Sequence, residues 1–357
     1  MLYAPPPNVA LRSLTLISMT FFATRAGNSH FVFVGLMSAG LCFAAPAYDF
    51  FICATLNRNY VVGSKIVTTN GVFQRDASQG WVHMGYNDTT LTGVAFDPRD
   101  RQVIYTSALN GCWRTLDGGR TWQINTGWEI TEGRDVAVDP NAPDHVYLAF
   151  VNGVAVSTDR GQTWVRRENG LPVRGKYTQT IKVDRTRQGR VLAGCETGIY
   201  LTRDGAKRWK RVLATRGTVN DLQQSWHDPK IWVAVTQDDG AWASQDNGDS
   251  WSQFPTVPTT DTLYNIAMDP TRPQYLAIGS WAQGVLTTEN GGKSWQSRNA
   301  GLPEPSRVWR VGIEPGTGRL LASVVGQTLF ASDDFGRTWT REALDGSRVN
   351  AFITIPR

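Results

Sequence analysis

The chain has 357 residues, of which 19% are charged and 41% hydrophobic, and it contains 35 glycines and 14 tryptophans. A formal net charge of +5 over this length is too small to indicate a protein that binds nucleic acid or an anionic membrane surface. Many glycines and tryptophans with few long apolar runs predict short strands joined by tight turns.

The first 47 residues differ from the rest of the chain. They contain no aspartate or glutamate, and an apolar run over 31–45 leads into Ala45-Pro46-Ala47. Such a run before small residues is typical of a cleaved signal peptide and is short for a membrane span. We therefore expect a signal peptide over 1–47, a mature domain over 48–357 without a membrane span, and a secreted or periplasmic protein. An uncleaved anchor or a misassigned start codon is the alternative.

Cys53, Cys112 and Cys195 remain in the mature chain, each in an apolar, strand-like context. We expect buried thiols, with one disulfide as the alternative in an oxidising compartment. The cysteines and the four histidines do not have the spacing of a zinc site. The sequence therefore predicts neither a metal nor another cofactor.

An octapeptide that ends in tryptophan recurs along the chain. It reads Thr-Leu-Asp-Gly-Gly-Arg-Thr-Trp at 115–122 and returns at 157–164, 244–251 and 332–339, with degenerate copies at 202–209 and 288–295 and an eroded one at 71–81. The final tryptophans are 41–45 residues apart. Each unit holds four short alternating segments, which in the second unit are 92–96, 103–107, 111–115 and 121–124. Units of this kind predict an all-β fold, a single seven-bladed β-propeller of four-stranded blades.

The two ends of the mature chain complement each other. Residues 349–356 align with the first strand of a unit, and no second, third or fourth strand follows them. Residues 50–55 resemble the second strand of a unit, and no first strand precedes them in that unit. We expect the C-terminal strand to join the N-terminal blade and close the ring, which removes open sheet edges.

The octapeptide suits the hairpin between the third and fourth strands of each blade. Its aspartate can accept hydrogen bonds from backbone N–H groups of the turn, its glycine supplies a positive φ, and its tryptophan packs between blades. All these roles are structural, so the octapeptide aspartates are poor catalytic candidates although a search for carboxylates would select them.

These octapeptides resemble the Asp-box, or bacterial neuraminidase repeat (BNR), over residues 50–357. The repeat pattern is most similar to that of the xyloglucanase and sortilin type. In that type a unit reads like Val94-Ala-Phe-Asp-Pro98, then Val103-Ile-Tyr105, then the octapeptide. Sialidases fit less well, because they have six blades and an Arg-Ile-Pro motif that is missing here. Xyloglucanases place their catalytic acid and base in a cleft between two propellers, whereas this chain contains a single propeller. The photosystem II assembly factor is similar in length and blade number, but Gly80-Trp-Val82 only faintly resembles its second-strand motif.

Propeller ligands usually bind at the mouth of the central channel, which the loops leading into the first strands surround. Aromatic residues there could stack on sugar rings, and arginines could bind carboxylate or phosphate. The predicted binding residues are Trp128, Arg134, Arg174, Tyr177, Asn220, Tyr264, Trp309 and Arg310. Weak candidates for catalysis are Glu129, Asp135 and Asp221. In the alternative interpretation, arginines and acids pair across neighbouring loops and the aromatics only pack.

Three functions follow. The first is an exported, monomeric binding module for a polysaccharide, another glycan or a protein partner at the channel mouth. The second is a glycoside hydrolase, which needs two carboxylates roughly 5–10 Å apart. The third is a scaffold for a membrane complex, as the assembly-factor resemblance implies.

Overall fold

The computed structural model describes residues 48–56, 65, 68–342, 344 and 346–357. All regular structure in these residues is β-strand, arranged in seven four-stranded antiparallel sheets. Each sheet is one blade, and the first strands of neighbouring blades contact one another around a closed ring. The predicted seven-bladed propeller is therefore confirmed. The expected signal peptide at 1–47 lies outside the described residues.

The blades are numbered in chain order, and the strands of each are given from the innermost outward. Blade 1 contains β28 (Arg348–Pro356), β1 (Tyr48–Thr55), β2 (Gly71–Asp76) and β3 (Gly80–Met84), and blade 2 contains β4 (Gly93–Asp97), β5 (Asp100–Ala108), β6 (Gly111–Thr115) and β7 (Gln123–Ile124). Blade 3 contains β8 (Gly133–Val138), β9 (Val146–Phe150), β10 (Gly153–Ser157) and β11 (Val165–Arg166), and blade 4 contains β12 (Thr178–Val183), β13 (Val191–Cys195), β14 (Gly198–Thr202) and β15 (Lys210–Ala214). Blade 5 contains β16 (Val219–Gln224), β17 (Trp232–Thr236), β18 (Ala241–Ser244) and β19 (Ser252–Gln253), and blade 6 contains β20 (Leu263–Met268), β21 (Leu276–Ser280), β22 (Gly284–Thr288) and β23 (Gln296–Ser297). Blade 7 contains β24 (Val308–Ile313), β25 (Leu320–Val324), β26 (Leu329–Ser332) and β27 (Thr340–Arg341).

The ring closes as the sequence predicts. Strand β1 pairs with β28 from Tyr48 opposite Pro356 to Thr55 opposite Arg348. Because side chains alternate along a strand, β1 contributes to two interblade cores. Phe50 and Ile52 pack with residues of blade 7, and Phe51 and Cys53 pack with residues of blade 2. The hydrophobic core thus lies between adjacent sheets around the whole ring.

The outermost strand of blade 2 is shorter than predicted. In blade 2 the sequence predicts a fourth strand over 121–124, whereas β7 covers only Gln123–Ile124. Thr121 belongs to the turn instead, because its N–H donates to Asp117 Oδ1 at 2.9 Å and its hydroxyl donates to Asp117 Oδ2 at 2.7 Å. The octapeptide turn therefore takes the residues with which the strand would begin.

The octapeptide aspartates hold their turns together. Asp246 accepts the Ser250 hydroxyl at 2.6 Å, the Ser250 N–H at 2.9 Å and the Ser244 hydroxyl at 2.8 Å. The Ser250 hydroxyl and the other donors of the turn, which favour the ionised form, lower the pKa of Asp246 to about 2. A carboxylate occupied in this way stabilises the hairpin.

Cys53, Cys112 and Cys195 are buried and unpaired in the interblade cores. Burial raises the pKa of Cys53 and of Cys195 to about 12, because the thiolate loses its hydration. These thiols act as small apolar side chains.

Candidate functional site

The first strands of all seven blades surround a central channel with a cavity of about 260 Å³. The end at which these strands begin is called the mouth, and the opposite end is called the base. Besides the loops leading into the first strands, the turns between second and third strands also lie at the mouth, because strands within a blade are antiparallel. The octapeptide turns lie at the base.

A β-bulge interrupts the first strand of blade 1 and of blades 3 to 7 at equivalent positions. In β28 the pairing with β1 skips Asn350. In β8 the pairing with β9 skips Arg134, and in the four later blades it skips one residue each, namely Gln179, Asn220, Tyr264 and Trp309. A bulge leaves one residue out of the ladder and redirects its side chain, and bulges are frequent next to functional sites. Four of the predicted binding residues are therefore bulge residues at the mouth.

Polar residues at the bulge or directly after it tie one blade to the next. Asn265 accepts the Val311 N–H and donates to the Val311 carbonyl, both at 2.8 Å. Arg310 donates to the Asn350 carbonyl at 2.9 Å, and Asn350 donates to the Leu91 carbonyl at 2.9 Å. These polar side chains form a hydrogen-bonded belt around much of the channel.

Asp135 and Asp221, two of the weak catalytic candidates, belong to this belt. Asp135 accepts the Thr180 hydroxyl at 2.9 Å, the Ile181 N–H at 3.0 Å and the Lys182 ammonium at 2.6 Å. Asp221 accepts the N–H of Leu222 in its own strand at 2.9 Å and that of Ile266 in the next blade at 3.2 Å. Both carboxylates are occupied in fixing the geometry of the channel.

Burial shifts the ionisation of the channel charges. It raises the pKa of Asp221, although Lys182 favours the ionised carboxylate. Burial alone would lower the pKa of Lys182, but Asp135 and Asp221 raise it above its ordinary value. Burial lowers the pKa of Arg310 to about 10, against the opposing effect of Asp221. At neutral pH the two cations therefore stay charged in the channel wall.

Aromatic rings and arginines alternate along one side of the mouth. Tyr264 contacts Trp309 at 4.6 Å and Trp281 at 6.3 Å between ring centroids. Arginine guanidiniums cover the outer rings, with Arg307 4.5 Å from Trp281 and Arg310 4.4 Å from Trp309. Arg348 lies 5.7 Å from Trp309. The aromatic–arginine cluster comprises Tyr264, Trp281, Trp309, Arg307, Arg310 and Arg348.

Cation–π contacts link the members of the cluster, and the buried Arg310 is also attracted by Asp221. Among the described residues, none of its three arginines forms an ion pair with a carboxylate, in contrast to Arg134, which lies 3.5 Å from Glu132. Trp281 keeps 39% of its surface exposed. The cluster therefore presents positive charge and a partly exposed indole towards solvent.

The other predicted residues are spread around the mouth. The guanidinium of Arg134 lies 5.4 Å from the ring of Tyr177, whose hydroxyl donates to Gln179 at 2.6 Å. Asn220 donates to the Leu263 carbonyl at 2.9 Å. Three residues are exposed outside the channel wall, namely Trp128, Glu129 and Arg174, and Trp128 is 89% exposed. The structure thus brings Tyr264, Trp309 and Arg310 together and leaves these three apart.

Sequence reasoning missed two residues of the site. Lys182 lies near the end of β12, and its ammonium group forms an ion pair with Asp135 of the preceding blade. The alternation of apolar and polar residues in the sequence does not reveal this pairing. Trp281 follows β21 directly, and the prediction considered only loops that lead into first strands. The antiparallel order of the blade was the available signal, since it puts the second-to-third turn at the same end.

Aromatic contacts narrow the channel at its base. Tyr48 of blade 1 packs edge-on against Trp226 of blade 5, with 5.4 Å between ring centroids. Arg185 of blade 4 covers the same indole at 4.1 Å and donates to the carbonyl of Ser225 at 2.5 Å. Residues of three separate blades therefore meet at the base of the channel.

No group of three or more His, Cys, Asp or Glu in the described ranges is arranged to hold a metal ion. No helix among the same residues is long and apolar enough to cross a membrane.

Solved structures with similar folds include GH74 enzymes and YCF48. An ancestral GH74 enzyme has a TM-score of 0.59 and 16% identity, covering 72% of this chain and 38% of its own. The GH74 xyloglucanase from Xanthomonas campestris has a TM-score of 0.59 and 18% identity, covering 77% and 51%. YCF48 bound to D1 peptide has a TM-score of 0.55 and 19% identity, covering 72% and 83%.

These likenesses support the propeller fold alone, because all three identities are below 20%. The chain spans about half or less of the two GH74 proteins. No protein-family model and no curated protein matches the chain.

Proposed function

We propose that this chain is an exported, monomeric recognition module of the Asp-box type that binds a carboxylate-bearing carbohydrate or protein segment at its channel mouth. The observation that carries this proposal is the aromatic–arginine cluster. Arg307 and Arg348 have no acidic partner among the described residues, and Trp281 is partly exposed. Arginines bind carboxylates in bidentate fashion, and indole faces stack on sugars or apolar side chains.

The occupied acids of the channel support binding over catalysis. Asp135 and Asp221 accept hydrogen bonds from backbone N–H groups of neighbouring strands, which gives both carboxylates a structural role in the channel wall. Glu129 is exposed, and no described residue hydrogen-bonds to its side chain. The structurally similar proteins accommodate either ligand class, since one is a xyloglucanase and one is bound to a peptide.

Binding of glycan arrays and of peptide libraries to the purified protein tests the proposal. Trp281→Ala and Arg307→Ala remove exposed members of the cluster and leave the hydrogen-bonded belt intact. Each should lower the affinity for the ligand by about tenfold or more. Trp309→Ala and Arg310→Ala should do the same, provided that their thermal unfolding is checked. Arg120→Ala at the base is the matched control for lost charge. A ligand that all four cluster variants bind like the wild type would refute the site.

A glycoside hydrolase remains the second candidate, favoured by one observation. Burial raises the pKa of Asp221, as catalysis requires of a general acid. Reducing-sugar release from xyloglucan, β-glucans, sialosides and uronic-acid polymers tests it, and Asp221→Asn should then abolish release while the protein stays folded. The scaffold function, which YCF48 suggests, predicts instead that a membrane protein co-purifies with the native chain.

A further inference from the structure

A second cavity, of about 430 Å³, lies at the base between blades 3 and 4. It is formed by the octapeptide turn of each blade, by His145 before β9, and by the turn between β12 and β13. Its volume is within the range of pockets that hold a small ligand or a sugar unit. This cavity, called the basic groove, is lined by His145, Thr158, Arg167, Gln188, Arg203, Lys207 and their neighbours.

Positive charge dominates the basic groove. Arg167 and Lys207 are exposed, and among the described residues neither side chain pairs with a carboxylate. The two residues are held side by side, since the Arg167 carbonyl accepts the indole N–H of Trp209 at 2.8 Å and the Lys207 carbonyl accepts the side-chain amide of Asn169 at 3.4 Å. These backbone hydrogen bonds thus fix the main-chain positions of Arg167 and Lys207, from which the two cationic side chains extend.

The one acid in the lining is held by its own turn. Asp204 accepts the Thr202 hydroxyl at 2.8 Å and the Arg208 N–H at 3.0 Å. Burial would raise the pKa of Asp204, but these hydrogen bonds lower it overall. Arg203 is not free either, since it pairs with Asp249. The charge of Lys207 also helps to lower the pKa of Asp204, so Asp204 balances Lys207 in part. The charge available to a ligand therefore comes from Arg167 and, in part, from Lys207, with His145 beside them.

The octapeptide of blade 4 departs from the repeat at this cavity. Ala206 adopts a φ of 67°, where the equivalent residues of blades 3 and 5 are glycines with φ of 75° and 83°. A side chain in this conformation costs about 1–2 kcal/mol. Arg208 also replaces the serine or threonine whose hydroxyl bonds the aspartate elsewhere. A turn that gives up two stabilising features next to a cavity indicates a functional constraint.

The wall of the basic groove has spare hydrogen-bonding capacity. Nδ1 of His145 has no partner among the described residues. The hydroxyl of Tyr147, which is fully buried, also lacks a partner and lies behind Gly205, 3.5 Å from where a Cβ on that glycine would be. Polar atoms without partners are uncommon in buried positions.

We propose that the basic groove binds the carboxylate or sulfate group of an acidic polysaccharide. Arg167 contributes a bidentate donor, Lys207 a point charge, and His145 a further hydrogen-bond position. A single-stranded nucleic acid fits less well, because such ligands need aromatic platforms and the lining contains none besides His145. The site lies at the end of the propeller opposite the mouth, so it does not depend on the function proposed there.

Titration of the full chain with an oligogalacturonate, a heparin octasaccharide and a neutral glucan oligomer tests this proposal. At least one acidic oligomer should bind and the neutral one should not. Arg167→Ala and Lys207→Ala should each weaken that binding by about tenfold. Arg211→Ala is the matched control, since Arg211 is an exposed cation on β15 that does not line the cavity, and it should change affinity less than about twofold.

The outcomes distinguish specific binding in the basic groove from non-specific attraction to the positive charge of the protein. Equal weakening by all three variants would show non-specific attraction and overturn the proposal, as would binding of single-stranded RNA but of no acidic oligomer. The oligogalacturonate and heparin arms separate carboxylate from sulfate recognition. The same titrations in the Trp281→Ala background, in which binding at the mouth is weakened, separate the two sites. An acidic oligomer that still binds there and is weakened by Arg167→Ala occupies the groove, so failure at the mouth and failure at the groove are distinguishable.

Discussion

Replacing Asp135 by alanine should destabilise the folded propeller itself, and this effect can be measured in the absence of any ligand. The change leaves the Ile181 N–H, which is fully buried, without its acceptor at 3.0 Å, and separates Lys182 from its partner at 2.6 Å. An unsatisfied buried N–H costs about 1–3 kcal/mol, and a hydrogen bond to a charged group contributes about 1.5–3 kcal/mol. Together the free energy of unfolding should fall by about 3–5 kcal/mol.

Urea unfolding followed by tryptophan fluorescence measures this effect. At an m-value of about 3 kcal/mol/M, the midpoint should fall by roughly 1–1.7 M. Glu129→Ala is the control, because Glu129 is exposed, and its free energy of unfolding should change by less than about 0.5 kcal/mol. An unchanged midpoint for Asp135→Ala would refute the structural role of the belt. An unchanged midpoint with lost sugar release would instead identify Asp135 as catalytic.

Three further predictions concern the turns and the thiols. Arg208→Thr should raise the thermal midpoint, because a hydroxyl at this position would regain the hydrogen bond to Asp204 that the equivalent turns make, a gain of about 0.5–1.5 kcal/mol; a lower midpoint would contradict it. The pKa of Asp246 is depressed to about 2 in the folded protein, so its contribution to stability is present above pH 4 and is lost as the pH falls towards 2. Asp246→Asn should flatten that part of the stability curve measured by urea unfolding at several pH values, and an unaltered slope would argue against the assignment. Cys53 and its two buried counterparts should react with a thiol reagent only after unfolding, because burial keeps them protonated; fast reaction of the native protein would show exposure.

The repeat made the fold predictable because each blade is a local unit with its own turn chemistry. The spacing of Trp122 and its counterparts set the number of blades, and the unpaired strand over 349–356 set the closure. Strand ends were less predictable, since in β7 the competition between turn and strand depends on a hydrogen bond to Asp117.

The site was predictable only in part. Loop positions indicated that Tyr264, Trp309 and Arg310 belong to the mouth, and the structure places them in one cluster. Sequence did not show that Asp135 is occupied by donors from the next blade, because that contact depends on interblade register. The basic groove was equally hidden, since Arg167 and Lys207 are 40 residues apart and meet only through the packing of neighbouring turns.

The pairing of Tyr48 with Pro356 has a practical consequence for handling the protein. Both strands reach the base at this pair, so an affinity tag or surface linker attached after Arg357 leaves the propeller on the side away from the aromatic–arginine cluster. A molecule immobilised by its C-terminus should therefore present its mouth to the solution. The same adjacency permits circular permutation, since a short peptide could join 357 to 48 and any exposed turn between blades could become the new start of the chain.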